Sequence, residues 1–87
     1  MLKVSLISPE QVLFEGDVDA VVAPAFDGEV GVLSGHAPML TLLGRGELRL
    51  VAGKTTSRFN VEGGFLQVVD DTVRVVTQRA SEGGAEK

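Results

Sequence analysis

The sequence predicts an all-β fold, a small antiparallel β-sandwich of about nine or ten short strands with a frayed polar C-terminal tail. Three observations carry this expectation. Apolar residues alternate with period two along most of the chain, turn residues recur at short intervals, and no helix-length window carries an i, i+3, i+4, i+7 stripe. The 87 residues suit a single domain, read as residues 1–80 with a flexible tail over 81–87.

Taken in order, Leu2, Val4 and Leu6 alternate with Lys3, Ser5 and Ile7, which makes Leu2 to Ser8 a strand. Pro9-Glu10 breaks it, Gln11 to Glu15 forms a second short strand, and Gly16-Asp17 turns the chain, so the first two strands form a hairpin. From Asp17 to Pro24 both faces are apolar enough to sit inside a two-layer structure. Asp27-Gly28 is a strong turn signal, and Glu29 to Leu33 returns as a strand. Met39 to Leu43 is apolar on both faces and is read as a buried strand. Glu47 to Val51 alternates, and Lys54 to Glu62 alternates longest, with Thr55, Ser57, Phe59 and Val61 on one side.

Gly63-Gly64 then punctuates the chain, giving a close strand crossing or a bulge at a sheet corner. Phe65 to Val69 is a strand with Phe65, Gln67 and Val69 sharing a side, and Phe65 is expected in the core. Asp70-Asp71 makes a tight, solvated turn into the strand Thr72 to Thr77. The stretch from Arg79 onward is small, charged and glycine-bearing, and is expected to fray.

The segment Asp27 to Leu40 is unlike the rest. It holds three glycines, the only histidine and one of three prolines between apolar segments. Such a run is a shaped loop rather than an uninterrupted strand, because glycine relaxes the backbone and proline lacks a ladder donor. Ser34 and His36 are two apart, with Asp17, Asp27 and Glu29 as nearby acids, which raises a hydrolase. No oxyanion-hole loop accompanies them, and a triad needs a preorganised surround. One histidine and no cysteine leave a metal without donors, and the plainer role for His36 is a loop residue whose ring bonds a backbone carbonyl or packs on Pro38. Glu62-Gly63-Gly64-Phe65 matches no phosphate-loop fingerprint.

A formal net charge of -4, scattered cations and the absence of Trp and Tyr argue against nucleic-acid binding. No apolar run approaches the roughly 20 residues needed to span a bilayer, and no secretory signal is evident, so membrane contact is expected only through a partner. What the residues alone imply is a small sandwich without an active site, whose function is contact. A free-standing peptide- or carbohydrate-binding module is the alternative.

The loop segment has a further meaning. Gly28-Glu29-Val30-Gly31-Val32-Leu33-Ser34-Gly35-His36-Ala37-Pro38-Met39-Leu40 resembles the signature of the epsilon subunit of F-type ATP synthases. Ser8-Pro9-Glu10 with Phe14-Glu15-Gly16, Val21-Val22-Ala23-Pro24, Gly46-Glu47-Leu48-Arg49, and Phe59-x-Val61-x-Gly63-Gly64-Phe65-Leu66 with Val73-x-Val75 resemble that family in the same order. The resemblance runs to about Ala80. It implies a non-catalytic rotor subunit in the central stalk, on the cytoplasmic face of the bacterial plasma membrane or an organellar equivalent, that couples ion-driven rotation to ATP synthesis. The partners it implies are the gamma subunit and the polar loops of the c-ring, with no cofactor and no metal.

By position, Glu29, Gly35, His36, Ala37 and Pro38 are expected to dock on the c-ring. Ser8, Pro9, Glu10 and Gln11, with Thr56 and Arg58, are the candidate gamma contacts. Ser34 stands where the family has proline, which leaves the loop less rigid. Many members continue into a C-terminal helical hairpin that binds ATP or inhibits hydrolysis. The chain ends instead in a polar tail, so neither hairpin-dependent activity is expected of it.

Overall fold

The computed structural model describes residues 1–83, which form ten strands and no helix. These are β1 (Leu2–Ile7), β2 (Val12–Val18), β3 (Ala20–Ala25), β4 (Gly28–Leu33), β5 (Met39–Leu42), β6 (Arg45–Ala52), β7 (Thr55–Glu62), β8 (Phe65–Val69), β9 (Thr72–Val76) and β10 (Arg79–Glu82). They make two five-stranded sheets, ordered β2-β1-β9-β8-β5 and β10-β7-β6-β3-β4. Both sheets are antiparallel except where β1 lies parallel to β9. A parallel pair cannot be joined by a tight turn. Here the two strands are separated by most of the chain, and β9 comes back to complete the sheet beside β1, with Val4 opposite Val73 and Leu6 opposite Val75.

The core lies between the sheets. Its largest fully buried side chains are Leu2, Leu6, Leu48, Leu50 and Leu66, with Val4, Val18, Val21, Val32, Val68, Val73 and Val75. These follow from alternation: β1, β8 and β9 each bury every second residue. Phe14 closes one side, meeting Phe59 edge-to-face at 6.2 Å between ring centroids.

Several expectations change. The turn expected at Gly16-Asp17 is absent, because β2 runs through both residues, opposite Val4 and Lys3 of β1. β2 is an edge strand whose outward positions face water, so Gly and Asp cost it little. The chain turns instead at Asp19, where the carboxylate accepts the Gly53 N–H at 2.6 Å and the Asp19 N–H donates to the Val51 carbonyl. Arg79–Glu82, read as the start of a frayed tail, form β10, whose Ala80 lies opposite Val61 on β7. Pairing to a free sheet edge supplies order that this composition alone does not. Residues 84–87 lie outside the described residues.

Two errors concern the same face. Met39 to Leu42 is not buried on both sides: β5 is an edge strand, with Leu40 68% and Leu42 61% exposed. On β8 the core residues are Leu66 and Val68, whereas Phe65 is 37% exposed and points outward. Both strands are apolar on both faces, so period two alone cannot say which face turns inward.

The corner between β7 and β8 carries the chain from one sheet to the other, and this is where Gly63-Gly64 sits. A Cβ on Gly64 would lie 1.9 Å from the Val76 carbonyl oxygen, at a backbone φ of +99° that side chains rarely adopt. Beneath the corner Thr77 is buried, and its hydroxyl lies within hydrogen-bonding distance of three carbonyls, those of Glu62, Gly63 and Arg79. A single hydroxyl thus joins the ends of β7 and β10, while the Thr77 N–H donates to Ile7 of β1.

Candidate docking surfaces

The segment between β4 and β5 folds as a shaped loop, and it is held at both its backbone and its ring. The His36 N–H donates to the Leu33 carbonyl at 3.1 Å, and the Gly35 N–H donates to a carboxylate oxygen of Asp71 at 2.7 Å. Gly35 takes a φ of +87°, which suits glycine. His36 Nδ1 lies 2.7 Å from the Ala37 carbonyl oxygen, which can only accept, so Nδ1 carries the ring proton. His36 is half-buried, while Ser34, Gly35, Ala37 and Pro38 are exposed. The ring is thereby used within the loop, and among the described residues no hydrogen bond joins it to Ser34. Among the described residues no group of three or more His, Asp or Glu side chains could hold a metal ion.

Glu29 is not part of this loop. It sits at the far end of β4, opposite Pro24, and Leu33 is four residues further along, about 13 Å at strand rise. Its carboxylate is 3.0 Å from Arg49 of β6. Arg49 in turn lies 3.9 Å from Glu47, and Glu47 3.7 Å from Arg58, so the outer face of this sheet carries a row of alternating charges. The c-ring candidates therefore lie along the free edge of β4 instead of forming a cluster.

The gamma candidates also divide. Ser8 and Gln11 close the β1–β2 turn by reciprocal backbone bonds of 2.9 and 3.3 Å, leaving Pro9 and Glu10 exposed at its tip. With Arg45, Asn60, Glu62 and Arg79 this turn borders an open polar cleft at one end of the sandwich. Thr56 and Arg58 belong to β7 and face outward from the other sheet, Arg58 within the charge row.

A surface missed in the sequence lies on the outer face of the β2-β1-β9-β8-β5 sheet. Pairing places Ile7 beside Val76, Val76 beside Phe65, and Phe65 beside Leu42, one apolar side chain on each of four adjacent strands. The next row, Ser5, Arg74, Gln67 and Leu40, is mostly polar. Phe26, 67% exposed, lies in the turn before β4, and its N–H donates to the Leu42 carbonyl. Of the eight exposed large hydrophobic residues among the described residues, six (Phe26, Leu33, Leu40, Leu42, Phe65 and Val69) belong to β4, β5, β8 or an adjoining turn. Exposed apolar area of this kind with a polar margin marks an interaction surface. The signal in the sequence was Leu40 and Leu42 on the second apolar face of a strand: in a two-layer fold the chain itself can cover only one of them.

Comparison with known proteins bears on what meets that surface. The family described as ATP synthase, Delta/Epsilon chain, beta-sandwich domain matches residues 1–83. The chain belongs to this family. It is 42% identical over 80 residues to the ATP synthase epsilon chain of Leptospira borgpetersenii, covering 92% of this chain and 63% of that one. It is 41% identical over 81 residues to that of Caulobacter vibrioides, covering 93% of this chain and 94% of the relative. The chain thus spans a little under two thirds of the Leptospira relative but nearly all of the Caulobacter one. A chain in the OSCP/F1/c-ring structure of the Euglena gracilis mitochondrial ATP synthase superposes with a TM-score of 0.87 at 26% identity, over 93% of this chain and 52% of that one. A chain of the Tetrahymena thermophila mitochondrial ATP synthase central stalk and c-ring shares the fold, with a TM-score of 0.79 at 17% identity over 93% of this chain and 66% of that one.

Proposed function

We propose that this chain is a non-catalytic rotor subunit of an F-type ATP synthase, docked on the gamma subunit and the c-ring and coupling ion-driven rotation to ATP synthesis. The observation that carries the proposal is the outward apolar row Ile7, Val76, Phe65 and Leu42, half-buried at Ile7 and Val76 and exposed at Phe65 and Leu42. Gamma seats across this row, with the turn Ser8, Pro9, Glu10 and Gln11 at its β1 end. Thr56 and Arg58 lie on the opposite sheet and enter that contact only if gamma wraps the β10 edge. The c-ring contact runs along the free edge of β4, from Glu29 to Gly35, His36, Ala37 and Pro38. An acidic edge ending in a small apolar tip suits polar, basic loops through charge complementarity around a packed centre.

In this arrangement the domain transmits torque without chemistry of its own, and it meets the membrane only through the complex, on the cytoplasmic face in a bacterium or its organellar equivalent. The test is co-purification of the chain with gamma and c-ring subunits, and its dependence on the apolar row. Replacement of Leu42 by Asp, at an exposed position, is expected to abolish capture by gamma while leaving the fold intact. Undiminished capture, or no capture of the unaltered chain at low salt, would refute the assignment.

A further inference from the structure

We propose that Asp71 is the positioning residue for the loop Gly35 to Pro38, holding it in docking shape from the β8–β9 turn through the carboxylate–amide bond to Gly35. The inference rests on the reading of this loop as a docking element.

Asp71 is the second residue of the β8–β9 turn, where Asp70 and Asp71 have φ values of 50° and 58°. Consecutive left-handed residues are what a two-residue hairpin turn requires, and Asp tolerates that region better than most side chains. The turn alone does not need a carboxylate, because Asn and Gly serve such positions equally well. The carboxylate of Asp71 has a separate use. It accepts the Gly35 N–H at 2.7 Å, joining positions 36 residues apart.

The turn that carries Asp71 is itself fixed to the frame. Its backbone carbonyl accepts the Lys3 N–H at 2.9 Å, tying it to β1, an interior strand of the sheet. The loop, by contrast, has Ser34 and Gly35 at its tip, with Gly35 at a φ of +87°, so its own backbone restrains it weakly. Its other polar contacts are internal: His36 N–H to Leu33 and His36 Nδ1 to Ala37. Among the described residues, the bond to Asp71 is the one hydrogen bond that joins the loop tip to a distant part of the chain. A loop ordered before docking binds more tightly than one that must be ordered in the complex.

The test compares Asp71→Gly with Asp71→Asn in the full chain. Gly keeps the positive φ and deletes the acceptor; Asn keeps the φ and an acceptor oxygen. Two quantities are read: hydrogen exchange of the Gly35 amide, and affinity for isolated gamma–c-ring complex. We expect Asp71→Gly to speed Gly35 exchange about tenfold or more and to weaken docking by a similar factor, with Asp71→Asn close to the unaltered chain in both and melting temperatures little changed. Unchanged Gly35 exchange in Asp71→Gly would overturn the proposal. So would faster exchange with undiminished docking, provided a His36→Ala, Pro38→Ala chain docks poorly. If that loop variant and Asp71→Gly both dock normally while exchange accelerates, the hold of Asp71 on the loop stands and the docking role of the loop falls.

Discussion

Truncation of Phe65 separates a core residue from a contact residue, and the two alternatives differ enough in magnitude to decide. Replacing a fully buried Phe by Ala costs about 3 to 5 kcal/mol, partly through the cavity it leaves. Phe65 is 37% exposed on the outer face of β8, beside Leu42 and Val76. Full burial of such a side chain is worth about 1.5 to 3 kcal/mol, and roughly two thirds of it is covered here, which leaves about 1 to 2 kcal/mol. No cavity penalty adds to this, because solvent fills the vacated space. For a domain of this size 1 kcal/mol moves the melting temperature by about 4 to 8 °C, so Phe65→Ala should lower it by about 4 to 16 °C.

Leu66→Ala is the internal control. Leu66 is fully buried, and its truncation should cost about 2 to 5 kcal/mol. Binding should rank the two the other way. In the proposed gamma contact Phe65, an aromatic at the middle of an apolar row, is the expected anchor, and loss of an anchor costs at least about 2 kcal/mol, roughly thirtyfold in affinity. Calorimetry of each purified variant, followed by titration against gamma at concentrations where both remain folded, reads both quantities. A fall of more than about 20 °C for Phe65→Ala, or an affinity equal to that of the unaltered chain, would refute the outward assignment of this side chain and the role given to the row.

Three further outcomes test other parts of the structure. Gly64→Ala should destabilise by at least about 3 kcal/mol, since a Cβ 1.9 Å from the Val76 carbonyl forces the corner apart at a φ of +99°; the urea midpoint measures this, and a near-normal midpoint would contradict the geometry. Thr77→Val keeps the shape but removes the hydroxyl donor that the part-buried carbonyls of Glu62, Gly63 and Arg79 share, at a cost of about 1 to 3 kcal/mol, whereas Thr77→Ser should recover most of it in the same assay. Glu29→Lys replaces an exposed 3.0 Å pair by a like-charge contact with Arg49, worth at most about 1 kcal/mol, so the domain should stay folded. Ion-driven ATP synthesis by a reconstituted enzyme carrying it should fall, and unchanged synthesis would remove Glu29 from the ring contact.

Most of the strands were legible because the chain alternates and because its turns use residues with a mechanism: Pro9-Glu10, Asp27-Gly28 and Asp70-Asp71 all lie at strand ends. The family was legible for a different reason, several spaced motifs in one order. What escaped were features set by distant partners. Gly16-Asp17 carries a local turn signal that cross-strand pairing with β1 overrides. Arg79–Glu82 is polar enough to fray, yet the free edge of β7 orders it. The Gly35–Asp71 bond and the burial of Thr77 both depend on residues brought together by sheet topology, to which local periodicity is blind.

The two outer faces of the sandwich show why an apolar strand face misled the reading of β5 and β8. On the sheet containing β6 and β7, outward positions hold Glu47, Arg49, Arg58, Asn60 and Glu62, and Glu47 pairs with both Arg49 and Arg58. That face is built for water. On the other sheet the equivalent outward row is Ile7, Val76, Phe65 and Leu42, which water covers poorly. Alternation identifies a half-buried strand only when the chain's own second layer is the sole source of burial. Where another molecule supplies a third layer, its footprint appears in the sequence as hydrophobicity in excess of what the fold can bury. Met39 to Leu42 is such a case: Met39 packs against the core, while Leu40 and Leu42 stand outside it. The same residues that made the strand look more deeply buried therefore mark the surface to which the gamma contact is assigned in the proposal.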